Sequence, residues 1–497
     1  MSLDPELCYQ AFRSRDRRFE GRFVAAVTST GIYCRPGCPA RLPRRAHLRF
    51  YACAAAAESA GFRPCLRCRP DAAPGAPPPP GTAATVRRAL RLIAEGGLDG
   101  MGLEALAARL GVTSRHLRRL FHQHLGASPQ AVAQTHRAHF ARRLVEETAL
   151  PMTQVALGAG FSSLRRFNDA FRKAFRRPPS AFRAERPAPA ARRGIELRIP
   201  TREPFDWAGT LAFLRARAVP GVESVDDSAY RRGFRLEGGH GDGAGVRGAL
   251  EVTRAPGERA LRVRLSVPEP RELLAVVGRV ARLFDVETDA RAIATHLGRD
   301  PLLAPALRRA PGLRVPGAWD PFELMVRAML GQQVTVAGAR TLAGRLAEAH
   351  GEALSVPGYP GLNRLFPTPA ALARADLTRV GLPAARARAL RALAARVADG
   401  SLRLEALGNL ESAVKRLSAL PGVGEWTAQY VAMRALGEPD AFPAGDLGIR
   451  RALGRAGRAP TPREIRERAE RWRPWRAYAA MALWRQPLTV RSKETQS

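Results

Sequence analysis

Apolar and polar positions follow two different patterns along the C-terminal part of the chain. Residues 261–267, Leu-Arg-Val-Arg-Leu-Ser-Val, alternate strictly, which is typical of a strand with one buried face. From about residue 301 onward the apolar positions are spaced as in helices, with glycine and proline between the segments. The pattern therefore predicts a small sheet-containing part followed by an all-helical part.

Two helix-turn-helix units lie ahead of the alternating segment. In the first unit, the apolar spacing over 103–110 predicts an amphipathic helix, and Gly111 begins a turn. Thr113 can then cap a second helix over 114–122, because a threonine hydroxyl accepts the free N–H groups of a first helical turn. That second helix would expose several basic side chains, as a DNA-recognition helix does.

The second unit repeats this arrangement. We expect a helix over 152–158, a turn, and Ser162 as the cap of a helix over 163–172. The duplication resembles the AraC-type DNA-binding domain across about residues 84–183, which implies that each unit places one helix in a major groove. The candidate DNA-binding side chains are Arg115, Arg118, Arg119, Arg165 and Arg166. Alternatively, any one of these arginines is only a solvent-exposed side chain on a helix face, or the two units form a helical bundle that does not bind DNA.

The charge of the chain favours an anionic partner. Its 497 residues hold 80 Lys and Arg against 45 Asp and Glu, a formal net charge of +35, and the first third is the most densely basic part. Such a field attracts polyanions, so nucleic acid is the first candidate partner and an anionic membrane surface the second. An arginine-rich composition from a GC-rich genome is the alternative explanation.

The cellular compartment can also be predicted. The first residues, MSLDPELCYQ, do not form a secretory signal, and no apolar run approaches the ~20 residues of a membrane span. We therefore expect a cytoplasmic protein without membrane contact, in which cysteines bind metal rather than form disulfides. Two of the six cysteines, Cys8 and Cys53, have no partner at ligand spacing and are interpreted as buried or free thiols.

The other four cysteines form two close pairs, Cys34-Arg-Pro-Gly-Cys38 and Cys65-Leu-Arg-Cys68. Two such pairs can complete one tetrahedral site, which favours a single Zn²⁺ ion held by all four thiolates. On spacing alone, the metal could simply stabilise the fold of this segment.

The residues around the pairs change that interpretation. The segments 23–36 and 60–71 resemble the zinc domain of the Ada adaptive-response family. The resemblance implies that Cys34 accepts a methyl group from a methylated DNA phosphate, once and irreversibly, while the other three cysteines remain ligands. We do not expect the O6-methylguanine acceptor domain of full-length Ada proteins, because no cysteine follows Cys68.

A glycine-containing turn between two helical segments lies near the C-terminal end. It reads Leu-Pro-Gly-Val-Gly over 420–424, with an amphipathic segment before it and a helix expected over 427–436. We expect both Gly422 and Gly424 to tolerate positive φ and to turn backbone N–H groups outward at the start of a helix, where a phosphate binds well. A plain turn without a phosphate role is the alternative.

An aspartate, Asp446, follows this turn and its helix. This order resembles the helix–hairpin–helix glycosylase superfamily, and residues 194–487 more narrowly resemble the 3-methyladenine DNA glycosylase II (AlkA-type) family. Segments that carry the resemblance are Pro204-Phe-Asp-Trp207, Ala328-Met-Leu-Gly-Gln-Gln333, Phe366-Pro-Thr-Pro369 and Trp472-Arg-Pro-Trp-Arg476.

The resemblance implies site residues and a reaction. Asp446 would be the catalytic carboxylate, and Trp426 stands where strand-cleaving superfamily members carry a Schiff-base lysine, so hydrolysis without lyase activity is expected. Gln333 occupies the position of a leucine wedge, and Leu447 replaces an aromatic residue beside the aspartate. The expected base pocket consists of Trp426, Trp484, Tyr430 and Phe213.

We therefore predict a multidomain α+β protein with an all-helical helix-hairpin-helix glycosylase core. The divisions are a zinc module at 1–72, a proline-rich linker at 73–83, a tandem helix-turn-helix domain at 84–183, a linker at 184–193, a small antiparallel α+β domain at 194–300 and the helical core at 301–490.

The predicted function combines repair of alkylated DNA with its regulation. The enzyme would excise 3-methyladenine- and 7-methylguanine-type bases, and the N-terminal half would be a methyl-accepting, sequence-specific transcription regulator; the sequence does not distinguish an activator from a repressor. Its partners would be double-stranded DNA, both alkylated and promoter DNA, and RNA polymerase; no redox or nucleotide cofactor is expected. The alternatives are a methylation-responsive regulator whose C-terminal half reads damage without catalysis, and a bifunctional glycosylase/lyase.

Overall fold

The architecture agrees with the predicted fold class, a multidomain α+β chain that ends in a helical core. Most of the two predicted linkers, 73–83 and 184–193, falls outside the described residues. Among the helices that the structure describes, none has the length and apolar character that a membrane span requires. The computed structural model describes residues 4–70, 83–99, 102–185, 194–236, 245–454 and 458–485.

A four-stranded sheet with two helices forms the N-terminal module. Its elements are α1 (Pro5–Arg13), β1 (Val24–Val27), β2 (Ile32–Cys34), β3 (Leu48–Tyr51), α2 (Ala54–Ser59) and β4 (Arg63–Pro64), with 3₁₀ turns at Arg17–Phe19 and Arg45–His47. The strand order is β3-β1-β2-β4; β1 is antiparallel to β2 and β3, and β2 is parallel to β4. All four residues of β1 are buried, and β2 ends on the first cysteine of the predicted metal site.

Seven helices form the tandem helix-turn-helix domain. They are α3 (Ala84–Ala94), α4 (Leu103–Arg109), α5 (Ser114–Leu125), α6 (Pro129–Glu147), α7 (Met152–Gly158), α8 (Leu164–Phe175) and α9 (Pro179–Ala184). The first predicted cap is confirmed, because the Thr113 hydroxyl accepts the His116 N–H at 3.2 Å. Helix α5 continues three residues beyond the expected end and stops at Gly126, whose φ of +66° is a common helix terminator.

The cap of the second unit differs from the prediction by one residue. Ser163, not Ser162, accepts the Arg166 N–H, at 3.2 Å, and the helix begins at Leu164. The Ser162 hydroxyl instead accepts a hydrogen bond from the Arg166 guanidinium at 3.3 Å. Adjacent serines cap equally well, so the sequence could not distinguish them.

A five-stranded antiparallel sheet with three helices forms the next domain. Its elements are β5 (Ile195–Pro200), α10 (Trp207–Arg215), β6 (Glu223–Val225), β7 (Ala229–Leu236), β8 (Val246–Thr253), β9 (Ala260–Ser266), α11 (Leu273–Leu283) and α12 (Ala290–Leu297). The strand order is β5-β9-β8-β7-β6. The strand predicted over 261–267 is β9, in which Leu261, Val263 and Leu265 are buried.

Ten helices build the C-terminal core. They are α13 (Ala304–Arg309), α14 (Pro321–Leu330), α15 (Val336–His350), α16 (Pro369–Arg374), α17 (Ala384–Ala398), α18 (Leu410–Ser418), α19 (Glu425–Arg434), α20 (Leu447–Leu453), α21 (Pro462–Ala469) and α22 (Arg476–Trp484), with 3₁₀ turns at Leu377–Val380, Leu404–Ala406 and Glu470–Trp472. Their apolar faces form one buried cluster that includes α14, α17, α19 and α22.

The tandem helix-turn-helix domain and the α+β domain share one hydrophobic core. Phe140 and Leu144 of α6 lie in the same buried cluster as Leu197 of β5 and Leu273 of α11. The contact is close, since a Cβ at Gly158 would lie 2.9 Å from a methyl group of Leu273. These two domains therefore pack as one body.

A half-buried carboxylate connects the N-terminal module to α6. Glu58 of α2 accepts hydrogen bonds from the Tyr33 hydroxyl and the His139 ring at 2.8 Å and from the Thr135 hydroxyl at 2.6 Å. Burial raises the pKa of Glu58, but His139 and the hydroxyl donors outweigh that effect and the net pKa is lowered. Tyr33 immediately precedes Cys34, so this network connects the cysteine cluster to the helix-turn-helix domain.

Candidate functional site

A tight turn separates the neighbouring helices α18 and α19, as the Leu-Pro-Gly-Val-Gly sequence predicts. Gly422 has φ of +73°, and a Cβ there would lie 2.9 Å from the Ala389 side chain, so both backbone and packing favour glycine. The expectation of positive φ at Gly424 is wrong: its φ is −85°, which any residue can adopt.

Gly424 instead serves as the N-cap of α19, so the helix begins at Glu425, two residues earlier than predicted, and ends at Arg434. Both glycines of the turn are exposed, and a Cβ at Gly424 would meet no protein atom within 4 Å. The protein itself therefore does not require glycine at 424. The first N–H groups of α19 point out of the helix end beside it, where an anion is favoured.

Asp446 lies at the start of α20, half-buried, and three donors hold its side chain. Its Oδ1 accepts the Trp484 indole N–H at 2.8 Å and the Ile449 backbone N–H at 3.0 Å. Its Oδ2 accepts the Trp426 indole N–H at 3.0 Å. Since a carboxylate offers about four acceptor positions, Oδ2 keeps capacity for one more partner. Asp446 is thus at once a helix cap and a fixed, partly open carboxylate.

The four predicted pocket aromatics lie together around this carboxylate. Trp426 and Tyr430, one turn apart on α19, stack with ring centroids 5.3 Å apart and planes 9° from parallel. Trp484 of α22 stacks on Phe213 of α10 at 6.4 Å and tilts against Tyr430 at 6.3 Å. The cluster provides flat apolar faces next to a carboxylate, a combination that suits an electron-poor heterocycle.

Two arginines behind the aromatic rings were not predicted from the sequence. Arg434 is buried and donates to the Tyr430 hydroxyl at 2.6 Å and to the carbonyl of Pro316 at 2.7 Å. Arg217 lies over the Phe213 ring at 3.8 Å. Burial raises the pKa of Tyr430, but the two arginines outweigh burial and lower it. The Tyr430–Arg434 spacing of one helical turn was the only local signal.

The loop between α14 and α15 carries Gln333 on the same face. Gln333 is exposed with a left-handed backbone, φ +59°. Its neighbour Gln332 fastens the loop to the glycine turn, because its amide donates to the Gly422 carbonyl at 2.8 Å and to the Thr427 hydroxyl at 2.9 Å. Val334, next along the loop, is 41% exposed, although an apolar side chain is ordinarily predicted to be buried.

Two residues after Asp446 shape the mouth of the pocket. Leu447 is 56% exposed. Gly448 leaves room for the site, since a Cβ there would lie 3.0 Å from Asp446 Oδ1 and 3.2 Å from the Trp484 ring. We therefore add Gly448 to the residues that the site requires.

The four paired cysteines form one buried cluster, with their Sγ atoms within 4.8 Å of one another. The Cys65 N–H bonds to the Tyr33 carbonyl at 3.0 Å, and the Cys38 N–H bonds to the Arg35 carbonyl at 3.1 Å. All four are buried to a similar degree, so exposure alone does not single out one sulfur. The donor set and its size fit a tetrahedral metal ion.

The remaining two cysteines lie outside this cluster, as expected. Burial, with a smaller contribution from Asp4, raises the pKa of Cys8 to about 11. Burial also raises the pKa of Cys53, whose Sγ lies 3.4 Å from the Leu125 carbonyl. Both are therefore poor nucleophiles at neutral pH.

The candidate DNA-contacting arginines lie on exposed faces of α5 and α8. On α5, Arg119 contacts the His116 ring at 3.0 Å, and Arg118 lies 3.9 Å from Glu104. The exposed side chains are Arg115, Arg118, Arg119, Arg165 and Arg166.

Four family models match successive parts of the chain. They are described as "Metal binding domain of Ada" (residues 7–71), "Helix-turn-helix domain" (106–185), "AlkA N-terminal domain" (196–320) and "HhH-GPD superfamily base excision DNA repair protein" (326–476). These matches confirm the Ada-type, helix-turn-helix and AlkA-type resemblances.

Whole proteins that resemble the chain combine the same parts. One from Mycobacterium tuberculosis, called "Probable bifunctional transcriptional activator/DNA repair enzyme AlkA", is 45% identical over 97% of both chains. Over 56% of its length the chain is 41% identical to 94% of "DNA-3-methyladenine glycosylase 2" of Escherichia coli. Over 31% of its length it is 40% identical to 42% of the Escherichia coli "Bifunctional transcriptional activator/DNA repair enzyme Ada".

Proposed function

The chain belongs to the family of bifunctional transcriptional activators and DNA repair enzymes that includes this Mycobacterium tuberculosis relative, and we propose that it excises alkylated bases from DNA with Asp446. The observation that carries the proposal is the Asp446 carboxylate, held by two indoles among four aromatic rings beside a helix-hairpin-helix turn. The substrates are N3-alkylated adenine and N7-alkylated guanine in duplex DNA.

The chemistry needs only one carboxylate. An alkylated purine of this kind carries positive charge, so it leaves as a neutral base when the bond from C1′ to the ring nitrogen breaks. Positive charge then develops on the deoxyribose, where the Asp446 carboxylate stabilises it. A water oxygen bonds to C1′, and Asp446 takes the proton that this water loses. The two indole N–H groups keep the carboxylate aimed while the charge develops.

The other parts of the site hold the DNA. The target base must leave the stack, and its electron-poor ring then lies against Trp426 and Trp484. Gln333 fills the vacated space in the duplex, with Val334 beside it. Gly422 and Gly424 allow a phosphate close to the start of α19. Trp426 has no amine to form a Schiff base, so the reaction stops at the abasic site.

Asp446→Asn provides the direct test. Asparagine is as good a helix cap as aspartate, so α20 should persist while the stabilising charge is lost. We expect release of 3-methyladenine from alkylated duplex to fall by at least about 100-fold. Asp320→Asn is the matched control, because Asp320 also caps a helix of this core, α14, through its side chain. Equal activity of the wild type and Asp446→Asn would instead favour a C-terminal half that reads damage without catalysis.

We propose a second activity at the cysteine cluster. Cys34, Cys38, Cys65 and Cys68 would hold Zn²⁺, which keeps their sulfurs deprotonated at neutral pH. The Cys34 sulfur attacks the methyl carbon of a methylated DNA phosphate; a sulfur–carbon bond forms, the carbon–oxygen bond breaks, and the phosphodiester leaves with its negative charge restored. The methylated cluster carries one negative charge less and therefore binds DNA more tightly.

Cys34→Ser separates this activity from metal binding alone. We expect the Cys34→Ser protein to take no labelled methyl group from DNA with methylated phosphates. The Cys53→Ser protein, changed at a cysteine outside the cluster, should accept one methyl group per chain. Transfer to the Cys34→Ser protein would contradict the assignment.

The helix-turn-helix domain would bind promoter DNA through the exposed arginines of α5 and α8 and bring RNA polymerase to it. Because phosphate contacts release counterions, this binding should weaken steeply with added salt. A nearly flat dependence of log K on log salt would contradict it.

A further inference from the structure

The first helix of the helix-turn-helix domain contacts the segment that leads to the proposed catalytic aspartate. Glu438 follows α19 and precedes Asp446 by eight residues. It is only 4% exposed, and its two oxygens accept hydrogen bonds from Arg87 at 2.6 Å and Arg88 at 2.9 Å. Both arginines lie on α3, so the two halves of the chain meet in a buried ion pair.

A third arginine of α3 extends the contact to the end of α19. Arg91 donates to the Ala435 carbonyl at 3.2 Å, and a cation at the C-terminus of a helix is favoured by the helix dipole. The fit leaves little space, since a Cβ at Gly437 would lie 3.2 Å from the Arg91 guanidinium. The three arginines thus hold the segment 435–438 by hydrogen bonds at both of its ends.

The segment 435–438 connects two parts of the candidate site along the chain, α19 before it and the loop to Asp446 after it. Helix α19 carries Trp426 and Tyr430 on its pocket side. Beyond Glu438, Asp440 pairs with Arg476 at 2.9 Å and the Phe442 N–H bonds to the Gln429 side chain at 3.0 Å. Displacement of the segment would therefore shift both the ring that stacks on the base and the loop that ends at Asp446.

We propose that the helix-turn-helix domain is an internal partner of the glycosylase and that Glu438, held by Arg87 and Arg88, is a positioning residue for Asp446. This inference rests on the proposed glycosylase function. A small displacement of a catalytic group is enough to slow a reaction strongly, whereas the DNA-binding face, formed by the glycine turn and the Gln333 loop, is not part of this contact.

The contact borders a cavity between the two halves of the chain. A cavity of about 1380 Å³ lies between α3, α6, α11 and the helical core, lined by apolar side chains together with charged ones such as Arg87, Arg91 and Glu438. Polar contacts of this kind between domains resemble those of transient complexes. Coupling between two binding sites is reciprocal. An event that moves α3, such as the binding of promoter DNA to the helix-turn-helix domain, would therefore change the rate of base excision.

The test uses Arg88→Met in the full-length protein, with two readouts. We expect the single-turnover rate of 3-methyladenine release to fall about tenfold while the Kd for abasic-site DNA changes less than twofold. Amide exchange of residues 435–446 should become faster. Adding Glu438→Gln to Arg88→Met should restore most of the rate, because no carboxylate is then buried with only one of its two arginine partners.

Two further variants keep the test decisive. Arg109→Met removes a partly exposed pair with Glu405, 3.3 Å long, in the same interface, and should leave both readouts unchanged. Arg87→Met, a milder change at a more exposed residue, replaces Arg88→Met if the latter fails to fold. Wild-type rate and exchange in a folded Arg88→Met or Arg87→Met protein would overturn the proposal, as would a loss found only in DNA binding. If the wild type releases no base, the glycosylase function fails, and amide exchange alone decides the positioning role.

Discussion

The two indole hydrogen bonds to Asp446 make a quantitative prediction. Trp484→Phe keeps an aromatic face against Phe213 but removes the N–H that lies 2.8 Å from Asp446 Oδ1. The donors from Trp426 and Ile449 remain, so the carboxylate stays in place but loses one of its three restraints. The variant therefore isolates the contribution of one donor.

The size of the effect follows from the charge of the acceptor. A hydrogen bond to a charged group contributes about 1.5–3 kcal/mol, which corresponds to a rate loss of about 10- to 150-fold if the whole contribution acts in the transition state. Because two donors remain, we expect a value near the lower end, about tenfold. Trp426→Phe should behave similarly, since within the described parts of the chain its N–H is the one donor to Oδ2.

The assay is single-turnover release of 3-methyladenine from alkylated duplex at saturating protein, with the Kd for abasic-site DNA measured in parallel. Trp475→Phe is the matched control, because Trp475 lies at the other end of α22 from Trp484 and packs against Tyr478. If Trp484→Phe keeps a rate within about twofold of the wild type, the indole N–H does not orient the carboxylate. A loss confined to the Kd would mean that the ring only binds DNA.

Three other outcomes follow from the same contacts. Asp446→Ala should lower the free energy of unfolding by about 1 kcal/mol more than Asp446→Asn, because alanine cannot accept the Ile449 N–H; equal denaturation midpoints would refute the capping role. Gln332→Ala should weaken binding of abasic-site DNA about tenfold, since the loop that carries Gln333 loses its bonds to Gly422 and Thr427; an unchanged Kd would contradict this. Burial, aided by nearby cations, lowers the pKa of His136 from 6.5 to about 4, so the unfolded chain binds a proton in that window that the folded chain does not. The free energy of unfolding should therefore rise with pH from 4 to 6.5, by at most about 3 kcal/mol, and His136→Gln should flatten the rise; parallel titrations of the two proteins would exclude it.

Local features of the fold were predictable because neighbouring residues determine them. The Thr113 cap and the alternating strand β9 depend on residues within one turn or one strand. The choice between Ser162 and Ser163 depends on which serine reaches an extended backbone, and the packing of the whole unit decides that. The backbone of Gly424 likewise depends on where α19 begins, which no single glycine determines.

The grouping of the candidate site residues was predictable only through family resemblance, and the contacts that support them were not predictable at all. Asp446 and Trp484 are far apart in sequence, and no periodicity joins them. Arg88 and Glu438 are 350 residues apart, and each is a charged residue of a type that is usually exposed. A buried pair of this kind arises from the docking of two domains, which leaves no trace in either local sequence.

The common core of the helix-turn-helix and α+β domains also determines how the molecule can be used in the cell. A protease that cut the chain between residues 186 and 193 would therefore leave these two domains packed together. Because the regulatory domains and the glycosylase also belong to one polypeptide, a cell contains equal numbers of both. Every copy that waits at a promoter is a copy withdrawn from lesions elsewhere on the chromosome.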